Sequence, residues 1–183
     1  RRFPFLAGRL HTIWNGIDLE TFHPEPRSAA YPELRLLGIG RIARAKNLPR
    51  LAEATARCIG QGLAVRIAWV GRVDEPAESE AARRRVTELG LDAHWSWWGE
   101  RSDVPELLRA CDALIAPSLW EGLPNAICEA LASGVPVLAS NVSDNARLVP
   151  DGLHGFLFPP EDVDAISAAI LRFAALPAVE RVR

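Results

Sequence analysis

Short apolar runs alternate with amphipathic stretches along most of this chain. Leu34–Gly40 (LRLLGIG), Val65–Gly71, His94–Trp98, Ala113–Pro117 and Val135–Ser140 read as buried strands. A Gly155–Phe158 run reads as a further one. Between them, apolar residues recur at helical spacing. Leu48, Leu51, Ala52, Thr55, Cys58 and Ile59 form one stripe, closed by Gly60 and Gly62. Glu78–Leu89 is a charged helix ending at Gly90, with Glu80 placed four residues before Arg84. Val104, Leu107, Leu108 and Cys111 make a third stripe. A helix from about Pro124 to Ala132 stops at Gly134, a short one spans Asn145–Val149, and Val163, Ile166, Ile170 and Phe173 mark the last. Residues 1–33 carry the breakers Pro4, Gly8, Gly16, Pro24, Pro26 and Pro32, and read as a short strand around Leu10–Trp14 followed by loop and linker. Near-continuous apolar strands separated by helices predict burial on both sheet faces. The fold class expected is α/β, a Rossmann-like doubly wound parallel sheet over residues 34–183.

Composition narrows the picture. The 183 residues are 49% apolar and 24% charged, which suits one well-packed domain and excludes disorder. A net charge of -2 argues against a dedicated nucleic-acid surface. No uninterrupted apolar run approaches the ~18 residues that a membrane span needs. Cys58, Cys111 and Cys128 are odd in number and widely spaced, so neither a disulfide framework nor a zinc ribbon is expected, and a reducing cytoplasmic compartment fits. The chain has no Met and opens Arg1-Arg2-Phe3-Pro4, which predicts a piece of a longer protein.

Ligands of such sheets bind beyond the carboxyl ends of the strands. After the first strand comes Gly38-Ile39-Gly40-Arg41-Ile42-Ala43-Arg44-Ala45-Lys46-Asn47. Gly38, Gly40 and Ala43 fit the dinucleotide spacing G-x-G-x-x-A. However, Pro49 suits a helix N1 position, so the helix starts only near Lys46–Leu48. No acidic residue follows at the spacing a ribose contact needs. Arg41, Arg44 and Lys46 beside flexible glycine backbone suit a diphosphate; a solvated basic loop is the other reading.

After the fourth strand, Pro117 to Val137 carries Glu121 in a loop and Glu129 about a turn and a half into a helix that Pro124 opens. Amides around Gly122–Asn125 are orphan donors at a helix N-terminus, where an anion is welcome. The two carboxylates can flank that anion and accept from sugar hydroxyls. Glu121 also reads as a plain surface acid. Glu129, between Cys128 and Ala130, is costly to bury without a partner.

This stretch resembles the C-terminal half of family-four retaining glycosyltransferases of the GT-B fold. Its signature is two glutamates with seven residues between them, here Glu121 and Glu129, within E-G-x-P-x-x-x-x-E-A-x-A-x-G-x-P-V. Further segments match in order: Trp14-Asn15-Gly16-Ile17-Asp18 with Phe22 and Pro24; Gly40-Arg41 with Lys46-Asn47; Gly71; Gly99; Leu107-Leu108; Asp112 to Ser118; and Asp151-Gly152 with Gly155-Phe156-Leu157. The resemblance implies an inter-domain crossover strand and linker over 1–33 and a nucleotide-sugar-binding domain over 34–183. The acceptor-binding N-terminal half would be absent. Arg41 and Lys46 would hold the donor diphosphate, and Glu121 would face the transferred sugar. Glu129 would bind the ribose. Gly40, Gly122, Leu123, Asn125 and the residues flanking Pro124 would contribute backbone contacts. The base would lie near Gly71 and Gly99–Arg101. No metal or other cofactor is implied. The implied donor is a UDP-sugar rather than GDP-mannose, and the acceptor a glycan or lipid-linked glycan. Peripheral association with the inner face of a membrane would be compatible. The alternatives are an NAD(P)-dependent oxidoreductase domain and a non-catalytic nucleotide-binding module.

Some residues depart from the family pattern. Arg72 stands where many relatives carry an acidic or small residue. Trp95, Trp97 and Trp98 are heavy for their strand; Trp97 is expected in the core, with a neighbour at an interface or the base. His11, His23, His94 and His154 have no acid–base constellation around them, and His154 belongs to the Gly152–Gly155 turn. The cysteines are expected as small core residues.

Overall fold

The computed structural model describes residues 15–26 and 32–181. Six parallel strands form one sheet in the order β3-β2-β1-β4-β5-β6. They are β1 (Leu34–Ile39), β2 (Val65–Val70), β3 (Trp95–Gly99), β4 (Ala113–Ala116), β5 (Val137–Ser140) and β6 (Gly155–Phe158). The helices are α1 (Leu48–Gly60), α2 (Pro76–Glu88), α3 (Val104–Ala110), α4 (Asn125–Ala132), α5 (Asn145–Leu148), α6 (Val163–Ala174) and α7 (Ala178–Arg181). The doubly wound fold expected from the pattern is therefore the one found. The proposed short strand at Leu10–Trp14 lies outside the described residues, as do His11 and the start of the linker.

Alternate residues of each strand feed two cores. Leu36, Ile67, Trp69 and Ile115 pack under α1, α2 and α6, with Leu51, Val86, Ile166 and Phe173 opposite them. Leu37, Leu114, Val137 and Ala139 face α3, α4 and α5, meeting Leu108, Ile127 and Val149. Each fully buried large side chain contributes about 1.5–3 kcal/mol, so both faces are needed to hold the sheet. The segment before β1 joins the second face: Phe22 packs there, Pro24 lies against Gly134, and Glu25 pairs with Arg109 at 3.6 Å.

The boundaries that shifted have local causes. β5 begins at Val137 rather than Val135 because the Val135 amide is spent closing α4, donating to the Ala130 carbonyl while Gly134 donates to Leu131. That is a Schellman ending, and it needs the left-handed φ of +68° that Gly134 supplies. The Glu80–Arg84 pair is not formed; Arg84 pairs with Glu88 at 3.9 Å. In β3 the core residue is Trp95, 5% exposed. Trp97 packs only partly, under the guanidinium of Arg83 at 4.6 Å. Trp98 shares the other face with Ser96 and is exposed over a groove with Leu107, Ala110 and Cys111. Cys58 and Cys111 are buried as expected, whereas Cys128 is only partly so.

Candidate donor site

In this strand order the chain turns back between β1 and β4, so the loops after those strands leave toward opposite sides and open a crevice. The two loops carrying the candidate residues meet at that crevice. The Leu119 amide donates to the Ala45 carbonyl at 2.7 Å, and the Asn47 side chain donates to the carbonyls of Pro117 at 3.1 Å and Pro160 at 2.6 Å. Asn47 is buried and left-handed, with φ of +56°. It ends the 3-10 turn Arg44–Lys46 and starts α1, with Pro49 in the first turn. The helix thus begins several residues after the glycines.

That offset removes the dinucleotide reading, and packing explains the glycine spacing instead. Gly38 pairs across the sheet with Trp69, and a Cβ at Gly38 would stand 2.1 Å from the indole ring. The same indole donates to the Gly40 carbonyl at 2.9 Å. Gly71 has φ of +145°, and a Cβ there would stand 2.0 Å from that carbonyl oxygen. Gly40, Trp69 and Gly71 therefore form one close-packed corner that sets the height of the Arg41–Lys46 loop.

Lys46 points to Glu121. Its Nζ lies 2.5 Å from Oε1, and Ser118 Oγ donates to the same oxygen at 2.6 Å. Ser143, at φ of +50°, clasps the loop from below by accepting from the Glu121 amide and donating to its carbonyl. Lys46 keeps two further N–H donors and Glu121 its second oxygen, so both can still meet a ligand. Arg41 lies on the other flank, 2.6 Å from Asp74 Oδ2. Beyond it a cleft of about 310 Å³ is bordered by Gly40, Arg41, Gly71, Arg72, Glu100 and Arg101, with Val104 as an apolar wall. Gly99 supports this cleft, its carbonyl accepting from the Gly71 amide at 2.7 Å. Arg101 is held by Asp103 in a two-pronged pair at 2.7 and 2.5 Å. None of Trp95, Trp97 and Trp98 borders this cleft.

α4 begins at Asn125, one residue later than expected, with Pro124 capping it and no side-chain bond to the orphan amides. Gly122 is exposed, with open space where a side chain would project. Leu123 is partly buried and Pro124 buried; the Asn125 amide donates to the Leu123 carbonyl at 3.1 Å, and the Ile127 and Cys128 amides donate to the Pro124 carbonyl at 3.0 and 3.2 Å. Asn125 Oδ1 accepts from the Asn15 side chain at 3.1 Å, an anchor that the sequence did not disclose. Glu129 is half-buried on α4, and its carboxylate makes no hydrogen bond or ion pair among the described residues. Burial pushes its pKa up from the ordinary glutamate value. The carboxylate is thus partly dehydrated and, among the described residues, unpartnered.

The sequence residues thus fall into two connected groups. Gly40, Arg41, Gly71, Gly99 and Arg101 border or support the cleft. Lys46, Glu121, Gly122, Leu123, Pro124 and Asn125 gather at the loop–helix junction, and Glu129 lies farther along α4. Asp74, Ser143 and Asn47 complete the frame through pairings too distant in sequence to be read from spacing, and Ser118 joins it from three positions before Glu121. Among the described residues no group of three or more His, Cys, Asp or Glu is arranged to hold a metal ion. His94 is tied to the Val65 carbonyl and His154 sits exposed in its turn.

The chain is similar to several known proteins. It is 32% identical over 174 residues to the UDP-Gal:alpha-D-GlcNAc-diphosphoundecaprenol alpha-1,3-galactosyltransferase of Escherichia coli, covering 90% of this chain and 45% of that enzyme. It is 31% identical over 180 residues to the alpha-maltose-1-phosphate synthase of Mycobacterium tuberculosis, covering 90% and 46%. The chain spans about half the length of these curated relatives. Its fold matches the Anabaena protein HepE, solved in complex with UDP and glucose, with a TM-score of 0.80 and 24% identity over 93% of this chain and 48% of that one. It also matches the separately crystallised C-terminal domain of the group 1 glycosyl transferase LpcC from Francisella tularensis, with a TM-score of 0.77 and 21% identity over 91% of both chains. The model of the family described as glycosyl transferases group 1 matches residues 33–175. By this match, the chain belongs to the glycosyl transferases group 1 family.

Proposed function

We propose that this chain is the donor-binding half of a retaining glycosyltransferase of family four, which binds a UDP-sugar without a metal ion. The observation that carries the reading is a cationic loop tied through Lys46 to Glu121, just ahead of α4, with the Glu129 carboxylate on that helix unpartnered among the described residues. A diphosphate needs the first and a ribose can use the second. Arg41 and Lys46 neutralise the diphosphate, and the start of α4 adds the partial positive charge of a helix N-terminus. Glu129 accepts from the ribose hydroxyls. Glu121 offers its free oxygen to a hydroxyl of the sugar being transferred. The base lies in the cleft beside Gly71 and Arg101.

In the reaction proposed, the bond from the anomeric carbon to the diphosphate oxygen breaks. The acceptor oxygen then bonds that carbon on the same face, and the acceptor proton passes to the departing diphosphate. Charge grows on the diphosphate as the bond breaks, so preorganised Arg41, Lys46 and amide donors lower the barrier. The acceptor, a glycan or lipid-linked glycan, would be held by a preceding N-terminal domain, for which residues 1–33 are the crossover and linker. The whole enzyme would then work in the cytoplasm, at the inner face of a membrane when its acceptor is lipid-linked.

The two glutamates separate in calorimetry. Glu129→Ala is expected to weaken UDP and UDP-glucose alike. Glu121→Ala is expected to weaken UDP-glucose more than UDP. The reverse pattern would overturn the assignment.

A further inference from the structure

Arg41 projects from the site loop with its side chain 62% exposed, and a side chain that free would lose much rotamer entropy on meeting a ligand. Its backbone, by contrast, is fixed. The Gly40 amide donates to the Val70 carbonyl and the Ile42 amide to the Arg72 carbonyl, both at 2.8 Å. Ile42 and Val73 form a parallel bridge that continues the β1–β2 pairing past the strand ends. The amides of Asp74 and Glu75 both return to the Ile42 carbonyl at 3.1 Å, and Glu75 accepts from the Arg44 amide at 3.1 Å. Asp74 therefore grows from the same small ladder as Arg41, and its carboxylate meets Arg41 Nη1 at 2.6 Å.

From this geometry we infer that Asp74 is a positioning residue for donor binding, holding the Arg41 guanidinium in the orientation that grips the diphosphate. The inference rests on the donor-site reading above. A guanidinium has five N–H donors. Asp74 takes one on Nη1, which leaves the Nε–Nη2 edge free for two parallel bonds to phosphate oxygens. Lys46 is fixed by a different acid, Glu121, so the two cations are oriented independently. Asp74 itself touches no ligand in this arrangement and acts through Arg41 alone.

The test is a double-mutant cycle read by calorimetric titration with UDP on the full chain: wild type, Asp74→Ala, Arg41→Ala and the double variant. Orienting an exposed cation is worth a factor of about three to five in affinity. Asp74→Ala is expected to raise the Kd for UDP by that factor in the wild-type background and to change nothing once Arg41 is Ala. Asp74→Asn, which keeps an acceptor of the same shape, is expected to lie between, and it carries the test if the alanine variant fails to fold. Equal losses in both backgrounds would show that Asp74 supports the loop generally, and would overturn the inference. So would unchanged or tighter binding by Asp74→Ala, the latter marking Asp74 as a competitor of the diphosphate. A wild-type chain that binds none of UDP, GDP and ADP would overturn the donor-site reading beneath it.

Discussion

Removing the Glu121 carboxylate should cost stability as well as ligand preference, and the structure sets the amount. Its Oε1 accepts from Lys46 at 2.5 Å and from Ser118 at 2.6 Å. Ser118 is only 1% exposed, so in Glu121→Ala its hydroxyl stays dry and unpaired, at about 1–3 kcal/mol. Lys46 has a flexible stem and can reach water, adding about 0.5 kcal/mol. Glu121→Ala is therefore expected to lose about 2–3 kcal/mol, a fall in Tm of roughly 5–10 °C for a chain of this size. Lys46→Met keeps the stem but leaves the carboxylate short of a cation. Breaking a fully buried pair costs about 3–5 kcal/mol, and because these side chains keep 20% and 15% exposure the expected loss drops to about 1–2 kcal/mol. In a double-mutant cycle by urea unfolding, followed by tryptophan fluorescence, the coupling is expected at about 1 kcal/mol. A coupling below about 0.3 kcal/mol, which is within the additivity error, would refute the idea that this pair holds the two loops together.

Three further outcomes follow from the same geometry. Gly38→Ala forces a methyl group onto the Trp69 ring, and should destabilise the chain by about 2–3 kcal/mol in urea although it touches no ligand; an unchanged midpoint would sink the packing account of that glycine. Burial raises the Glu129 pKa, so the folded chain holds that proton to higher pH than the unfolded chain does. Its ionised form costs stability above the folded pKa, and its service as a ribose acceptor is lost as pH falls through that raised pKa. UDP affinity should decline there in wild type more steeply than in Glu129→Gln, the diphosphate's own titration being common to both, and parallel profiles would contradict the role. Burial lifts the Cys58 thiol to about 11, so a thiol reagent at neutral pH should label Cys128 first and Cys58 only on unfolding, and early labelling of Cys58, resolved by peptide mapping, would contradict the packing of α1 on α6.

The sheet was legible because its strands are buried on both faces and therefore read as unbroken apolar runs, each followed by a breaker or a polar loop. The Glu121–Glu129 stretch was legible because its chemistry is local: an acid, a glycine, a helix start and a second acid within nine residues. What stayed hidden depends on partners brought in from afar. Gly38 looked like part of a phosphate loop, yet its partner is Trp69 on the neighbouring strand. Arg41 meets Asp74 across 33 positions, and Lys46 meets Glu121 across 75. Asn47 reads as an ordinary polar residue, and only the fold reveals that its side chain ties the β1 loop to carbonyls after β4 and β6. The tryptophans of β3 were hard to place because β3 is an edge strand: Trp97, on the face of Trp95, is covered only in part, and Trp98, on the face of Ser96, meets an open groove.

The central claim is that the crevice between the β1 and β4 loops binds a nucleoside diphosphate through its cationic loop and the acids of α4 and its approach. The most direct measurement is calorimetric titration of the chain with UDP, GDP, ADP and NAD, with chelator present to exclude divalent metal. UDP is expected to bind under these conditions and NAD is not. Binding of NAD alone, or UDP binding that survives the combined loss of Arg41, Lys46 and Glu129, would contradict it.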